Sequence, residues 1–111
     1  MDVFFVSERL ATLLCSPDSA TRKFGTENAK WIAKRLDNLR FASNLEAMYL
    51  LPGRFHELTG DRAGTFAIYL KYGYRIILKP ADSPPPRKPD GGLDLKAIHA
   101  VVVVNVEDYH D

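Results

Sequence analysis

The sequence predicts an α+β domain in which helices come first and an antiparallel sheet follows. Three features carry this. Before Pro52 the strongest apolar periodicity has helical spacing; after Gly53 the apolar runs alternate or are β-branched; and Pro52-Gly53 divides the two halves. At 111 residues the chain has the length of a single domain, 1–111, able to bury a core without metals or disulfides.

Val3 to Val6 are β-prone and predict a short strand over 3–7. Ser7 caps a helix running to about Leu14, and Ser16-Pro17 opens another that stops near Gly25. The clearest helix spans 27–42. Ala29, Ile32, Ala33, Leu36 and Leu39 form its apolar stripe, with Lys30, Lys34, Asp37 and Asn38 opposite. Trp31 lies off that stripe, and packing in the core is the expectation for it. A short helix over 44–51 follows Ser43. Strands are then expected at 54–58, at 65–71 with Phe66, Ile68 and Leu70 on one face, and at 74–79. Tyr72-Gly73 is the hairpin turn. Pro80–Asp94, with three consecutive prolines, is a loop. Ile98–Val106 closes the sheet, its four-valine run suiting the interior.

Composition excludes several classes. The single cysteine, Cys15, has no partner for an internal disulfide, and its neighbours Leu13 and Leu14 suggest a small core hydrophobe. The N-terminus lacks the basic region of a signal peptide, and no apolar run approaches the ~20 residues of a membrane helix, so a cytoplasmic protein with no membrane association is expected. No Cys-x-x-Cys, His-x-x-x-His or His-Glu-x-x-His spacing occurs. Asp108 and His110 are close enough to share a metal, but a third ligand would have to come from elsewhere, and no metal site or cofactor is expected. A glycine-rich phosphate loop is absent. Net charge is +1, yet bases gather in two regions. Arg22, Lys23, Lys30, Lys34, Arg35 and Arg40 outnumber Glu27 and Asp37, and Arg54, Arg62, Lys71, Arg75 and Lys79 outnumber Glu57 and Asp61. Such clustering suits phosphates.

The strand half concentrates arginine, histidine and tyrosine. Residues two apart share a face of a strand, so Arg54 and His56 point together, as do Arg75 and Lys79. Arg62 lies in a loop, and Tyr109 and His110 end the last strand.

Residues 51–66, LPGRFHELTGDRAGTF, resemble the central motif of HigB-type toxins in the RelE/ParE superfamily. Tyr74-Arg75-Ile76-Ile77 resembles the next strand of that family, and Glu107-Asp108-Tyr109-His110 resembles its closing motif. Phe24-Gly25 through Ala29-Lys30 and Arg35 to Leu39 are similar as well, so the likeness runs along nearly the whole chain. It implies a RelE-like fold, with N-terminal helices packed on one face of a mainly antiparallel sheet and RNA held on the other. It implies His56, Asp108, Tyr109 and His110 as the catalytic set, and Arg54, Arg62, Arg75 and Lys79 as phosphate-binding residues. It further implies metal-independent cleavage of mRNA on the translating ribosome, without a small-molecule cofactor. The expected partner is an antitoxin, usually a helix-turn-helix protein.

The residue types suit that chemistry. RNA supplies its own nucleophile, the 2′-OH, so the protein has only to move protons and stabilise charge. Histidine, with an ordinary pKa of about 6.5, serves as either base or acid. Arginine stabilises the pentacovalent phosphorane, tyrosine stacks a base or, near cations, helps with proton transfer, and Asp108 orients a histidine. Which histidine is base and which acid stays open, and His56 and His110 are expected within one nucleotide's reach. Strand parity makes Tyr109 and His110 diverge unless the chain leaves the strand near Asp108. Two alternatives share the scaffold: a ParE-like toxin that inhibits gyrase without cutting nucleic acid, and a non-toxic binding module.

Overall fold

A computed structural model describes residues 1–109. Strand β1 (Asp2–Phe5) leads into three helices, α1 (Glu8–Cys15), α2 (Pro17–Phe24) and α3 (Thr26–Phe41). Ser7 caps α1 by accepting from the Leu10 amide, and Ser16 caps α2 ahead of Pro17, as expected of hydroxyl N-caps. The segment expected as a short helix at 44–51 is a 3-10 helix, Leu45–Leu50. Four strands follow: β2 (His56–Glu57), β3 (Phe66–Tyr69), β4 (Tyr74–Pro80) and β5 (Ala100–Asp108).

The sheet has five strands in the order β1-β5-β4-β3-β2. All neighbours are antiparallel except the first and last strands of the chain, β1 and β5, which pair in parallel from Asp2↔Ala100 to Phe5↔Val103. The helices cover one face. Ile32, Leu36 and Leu39 of α3 meet Phe66, Ile68, Ile76, Leu78, Val101 and Val103 in a core closed by Leu14, Phe24, Leu45 and Met48. Each such side chain contributes roughly 1.5–3 kcal/mol by leaving water. The opposite face carries a smaller apolar cluster, Leu58 over Ala67, Ile77 and Val104. Leu58 lies beyond β2, so the segment after β2 folds back over this face.

Several sequence expectations need correction. The strand expected over 54–58 shrinks to His56–Glu57, because Gly53 (φ 114°) and Arg54 (φ 52°) leave the extended region and a 3-10 turn forms at Gly60–Arg62. Cys15 is exposed. Trp31 is half-buried rather than in the core. Ala33 is exposed, whereas Asn28 and Arg35 of α3 are buried. Asn28 earns its place by gripping the backbone of Lys71 twice, its Nδ2 donating to the carbonyl at 3.0 Å and its Oδ1 accepting from the amide at 2.9 Å. This fixes the β3–β4 hairpin on α3. The hairpin turn is closed by the Tyr74 amide donating to the Lys71 carbonyl, and Tyr72 and Gly73 between them have φ of 56° and 80°, the left-handed region that the turn requires. In β5 the register slips by one residue, with Leu78 facing Val103 but Ile77 facing Asn105, so Val104 is the extra residue of a bulge.

Candidate active site

The register builds the site. Tyr69 on β3 lies opposite Arg75 on β4, and Arg75 lies opposite Glu107 on β5. Directly opposed residues share a face with Cβ atoms about 5 Å apart. The three side chains therefore form a row across the strands, on the face away from the helices. Glu107 is the electrostatic centre. Its Oε1 accepts from Arg75 Nε at 2.8 Å and lies 2.7 Å from Arg75 Nη2. The segment folded over this face brings Arg62 to the same carboxylate, Nη1 to Oε1 at 2.9 Å and Nη2 to Oε2 at 3.0 Å. The hydrogen bond from Arg62, with a smaller contribution from Arg75, holds the Glu107 carboxyl below the usual carboxylate range despite partial burial. Glu107 in turn raises the Arg62 pKa. Two guanidiniums against one carboxylate leave the group cationic.

Aromatic rings extend the row. Tyr109 packs edge-on to Tyr69 at 4.9 Å, with the Arg75 guanidinium 5.3 Å from its ring centre. On the other side of Tyr69 the His56 imidazole stacks at 5.4 Å, and the Arg54 guanidinium sits 4.6 Å from the Tyr69 ring centre. His56 faces Ala67, two residues before Tyr69, which explains the diagonal stack. His56 Nδ1 lies 2.9 Å from the Arg54 carbonyl. A carbonyl only accepts, so Nδ1 carries the proton and the neutral ring presents Nε2 as its base.

Of the residues expected in the site, His56, Arg54, Arg62, Arg75 and Tyr109 come together. Arg62 and Arg75 do so bound to Glu107, which orients them, rather than as isolated phosphate ligands. Lys79 lies four residues beyond Arg75 on the same strand, about 13 Å away at strand rise, and does not join the cluster. Asp108 pairs in register with Tyr74, whose ring packs on Phe24 of α2, so the register assigns Asp108 to the helix side. Strand β5 ends at Asp108, and the Tyr109 amide donates to the Gly73 carbonyl at 2.8 Å. His110 lies outside the described residues, and with it the expected proximity to His56. Two members of the cluster were not singled out from sequence. Tyr69 was legible in principle, because placing Phe66, Ile68 and Leu70 on one face puts Tyr69 on the other. Glu107 carried no local signal beyond its place in the closing motif. Among the described residues no three histidine, cysteine or acidic side chains converge as metal ligands, and no helix is long and apolar enough to cross a membrane.

No protein-family model matches the chain, and no curated protein matches it. Five chains of solved structure do match. One is described as a YoeB/ParE toxin from Agrobacterium tumefaciens; it superposes over 100% of both chains with a TM-score of 0.59 at 12% sequence identity. The chain thus has the α+β fold of a RelE/ParE toxin.

Proposed function

We propose that this protein is the toxin of a type II toxin–antitoxin pair and, within the superfamily, a HigB-like endoribonuclease that cuts mRNA on the translating ribosome without a metal. The observation that supports the reading most is the cluster on the open face of the sheet. It joins an imidazole with a free Nε2, three guanidiniums and two aromatic rings. A protein that only binds has little need of a proton-transfer group set among cations.

The cluster suits a transesterification. The 2′-oxygen attacks the adjacent phosphorus and the bond from phosphorus to the 5′-oxygen breaks, leaving a 2′,3′-cyclic phosphate and a 5′-hydroxyl. His56 exchanges a proton with the nucleotide at Nε2, as base toward the 2′-OH or as acid toward the departing 5′-oxygen. His110, in the matching position of the closing motif, takes the complementary role. Arg75 and Arg54 stabilise the phosphorane charge, and the faces of Tyr69 and Tyr109 stack bases splayed from the strand. The toxin works in the cytoplasm and is silenced by an antitoxin of helix-turn-helix type.

Induced expression in a bacterial host, with transcriptome-wide mapping of 5′-hydroxyl ends, tests the reading. Cleavage within coding regions, absent in His56→Ala, is the expected outcome. Intact mRNA with altered DNA supercoiling would instead mark a gyrase inhibitor, and unaffected growth a binding module.

A further inference from the structure

At the edge of the sheet, the irregular chain before β2 leaves a pocket of about 190 Å³ against α3. Trp31, Arg35, Arg54, Tyr69 and Lys71 line it, together with Gly53. The pocket is cationic. Lys34, Arg35 and Lys71 surround the Trp31 ring at 5.1, 4.8 and 5.9 Å from its centre, and Arg54 adds a fourth positive charge over Tyr69. None of the four forms an ion pair among the described residues.

Arg35 makes the case. It is only 8% exposed, yet among the described residues its one side-chain hydrogen bond is from Nη1 to Asn38 at 3.0 Å, and its Nε finds no partner there. Burying a guanidinium opposite no carboxylate is costly. The face of Trp31 offsets part of that cost and is shared with Lys34 and Lys71, but a ring supplies no counter-charge to any of them. Gly53 keeps the floor open, since a Cβ there would sit 3.3 Å from Arg35 Nε. Three cations in the wall, a fourth beside it and an aromatic face, with no carboxylate among the described residues paired to any of them, are what a phosphate with its attached base completes.

We propose that this pocket is a second nucleotide site, holding a phosphodiester group of the RNA strand outside the scissile nucleotide, with Trp31 stacking the neighbouring base. The inference rests on the ribonuclease reading, because Tyr69 belongs to both places: its ring touches His56 on the open face and it lines the pocket. The strand thus passes around the sheet edge from the pocket to the cluster. Lys71 holds its phosphate from the pocket wall, Lys34, outside the wall beside the Trp31 ring, reaches it from the rim, and Arg35 supplies the fixed charge behind them.

Trp31 is the chain's one tryptophan, so its emission reports the pocket alone. The probe is a fluorescein-labelled 2′-O-methyl oligoribonucleotide of about ten residues, which has no free 2′-OH and is not cut. Its anisotropy reports binding anywhere on the protein. Anisotropy and Trp31 emission are expected to titrate with one Kd. Lys71→Ala is expected to weaken that Kd three- to tenfold at 0.1 M salt and to lower the slope of log K against log salt by about 0.7, the value for one phosphate contact on a single strand. Lys34→Ala/Lys71→Ala should lower it by about twice as much. If anisotropy rises while Trp31 emission and the Lys71→Ala affinity stay unchanged, the pocket assignment is wrong and the ribonuclease reading survives. If the oligonucleotide does not bind at all, the second-site assignment falls, while the mapping of 5′-hydroxyl ends decides the ribonuclease reading separately. If inorganic phosphate moves Trp31 emission in a Lys71-dependent way and the oligonucleotide does not, the pocket serves a free anion and the RNA assignment is overturned.

Discussion

Replacing Glu107 with glutamine keeps the shape of the side chain and removes the charge on which two arginines converge. At full burial, breaking such a pair costs about 3–5 kcal/mol; at full exposure, between zero and about 1. The Arg75 side chain is 15% exposed and that of Glu107 23%, so this arm lies nearer the buried limit. The Arg62 side chain is 41% exposed, so solvent screens its arm, although its two parallel hydrogen bonds are the larger cause of the lowered Glu107 pKa. Glutamine retains one acceptor oxygen, which recovers part of the loss. The expected destabilisation of Glu107→Gln is about 2 kcal/mol at neutral pH, or roughly 8 °C in Tm for a domain of this size. The pH dependence gives the sharper test. The Glu107 carboxyl is held below its ordinary 4.5, so the unfolded chain takes up its proton first as pH falls. The stabilisation is complete above pH 4.5 and disappears as pH drops through the folded-state value. Urea unfolding of both proteins at pH 7, 5, 4 and 3 reads it directly. Stability curves that stay equally far apart at pH 3 would refute the argument, since the loss would then come from packing rather than charge. A difference under about 0.5 kcal/mol at pH 7 would refute it too.

Gly53→Ala should cost about 2–3 kcal/mol in a urea titration, because φ is 114° and the new Cβ would lie 2.6 Å from Ile68 Cγ2. Asn28→Ala strands the amide and carbonyl of Lys71 against α3; a loss of about 2 kcal/mol is expected, with faster amide exchange confined to the β3–β4 hairpin. Tyr69 meets His56, Arg54 and Tyr109 through its ring. Tyr69→Phe should therefore keep mRNA cleavage near the parent rate while Tyr69→Leu lowers it tenfold or more, and equal losses in both would assign the role to the hydroxyl instead.

Local chemistry was enough for much of the fold. The stripe through Ile32, Leu36 and Leu39 set α3, Ser7 and Ser16-Pro17 set the starts of α1 and α2, and Tyr72-Gly73 set the hairpin. Each depends on residues within a turn or two of one another, and that is the range over which periodicity and capping operate. What escaped the sequence depends on contacts between distant parts of the chain. The parallel pairing of β1 with β5 joins its two ends. The burial of Arg35 comes from the pocket closing around it, not from its position on a helix wheel.

The candidate site divides in the same way. Strand parity expected Arg54 beside His56, but Arg54 lies outside β2 with φ 52° and meets His56 through the Tyr69 ring instead; the family resemblance marked Arg62, Arg75 and Tyr109. Only the tertiary structure decided that Tyr69, Arg75 and Glu107 line up across three strands, and that Arg62 crosses 45 residues of sequence to clamp the same carboxylate. The physical reason is register. A one-residue slip between strands sends every side chain to the opposite face, and the register of β4 on β5, with its bulge at Val104, puts Ile76, Leu78 and Val103 in the core under the helices while Arg75 and Glu107 meet on the other face.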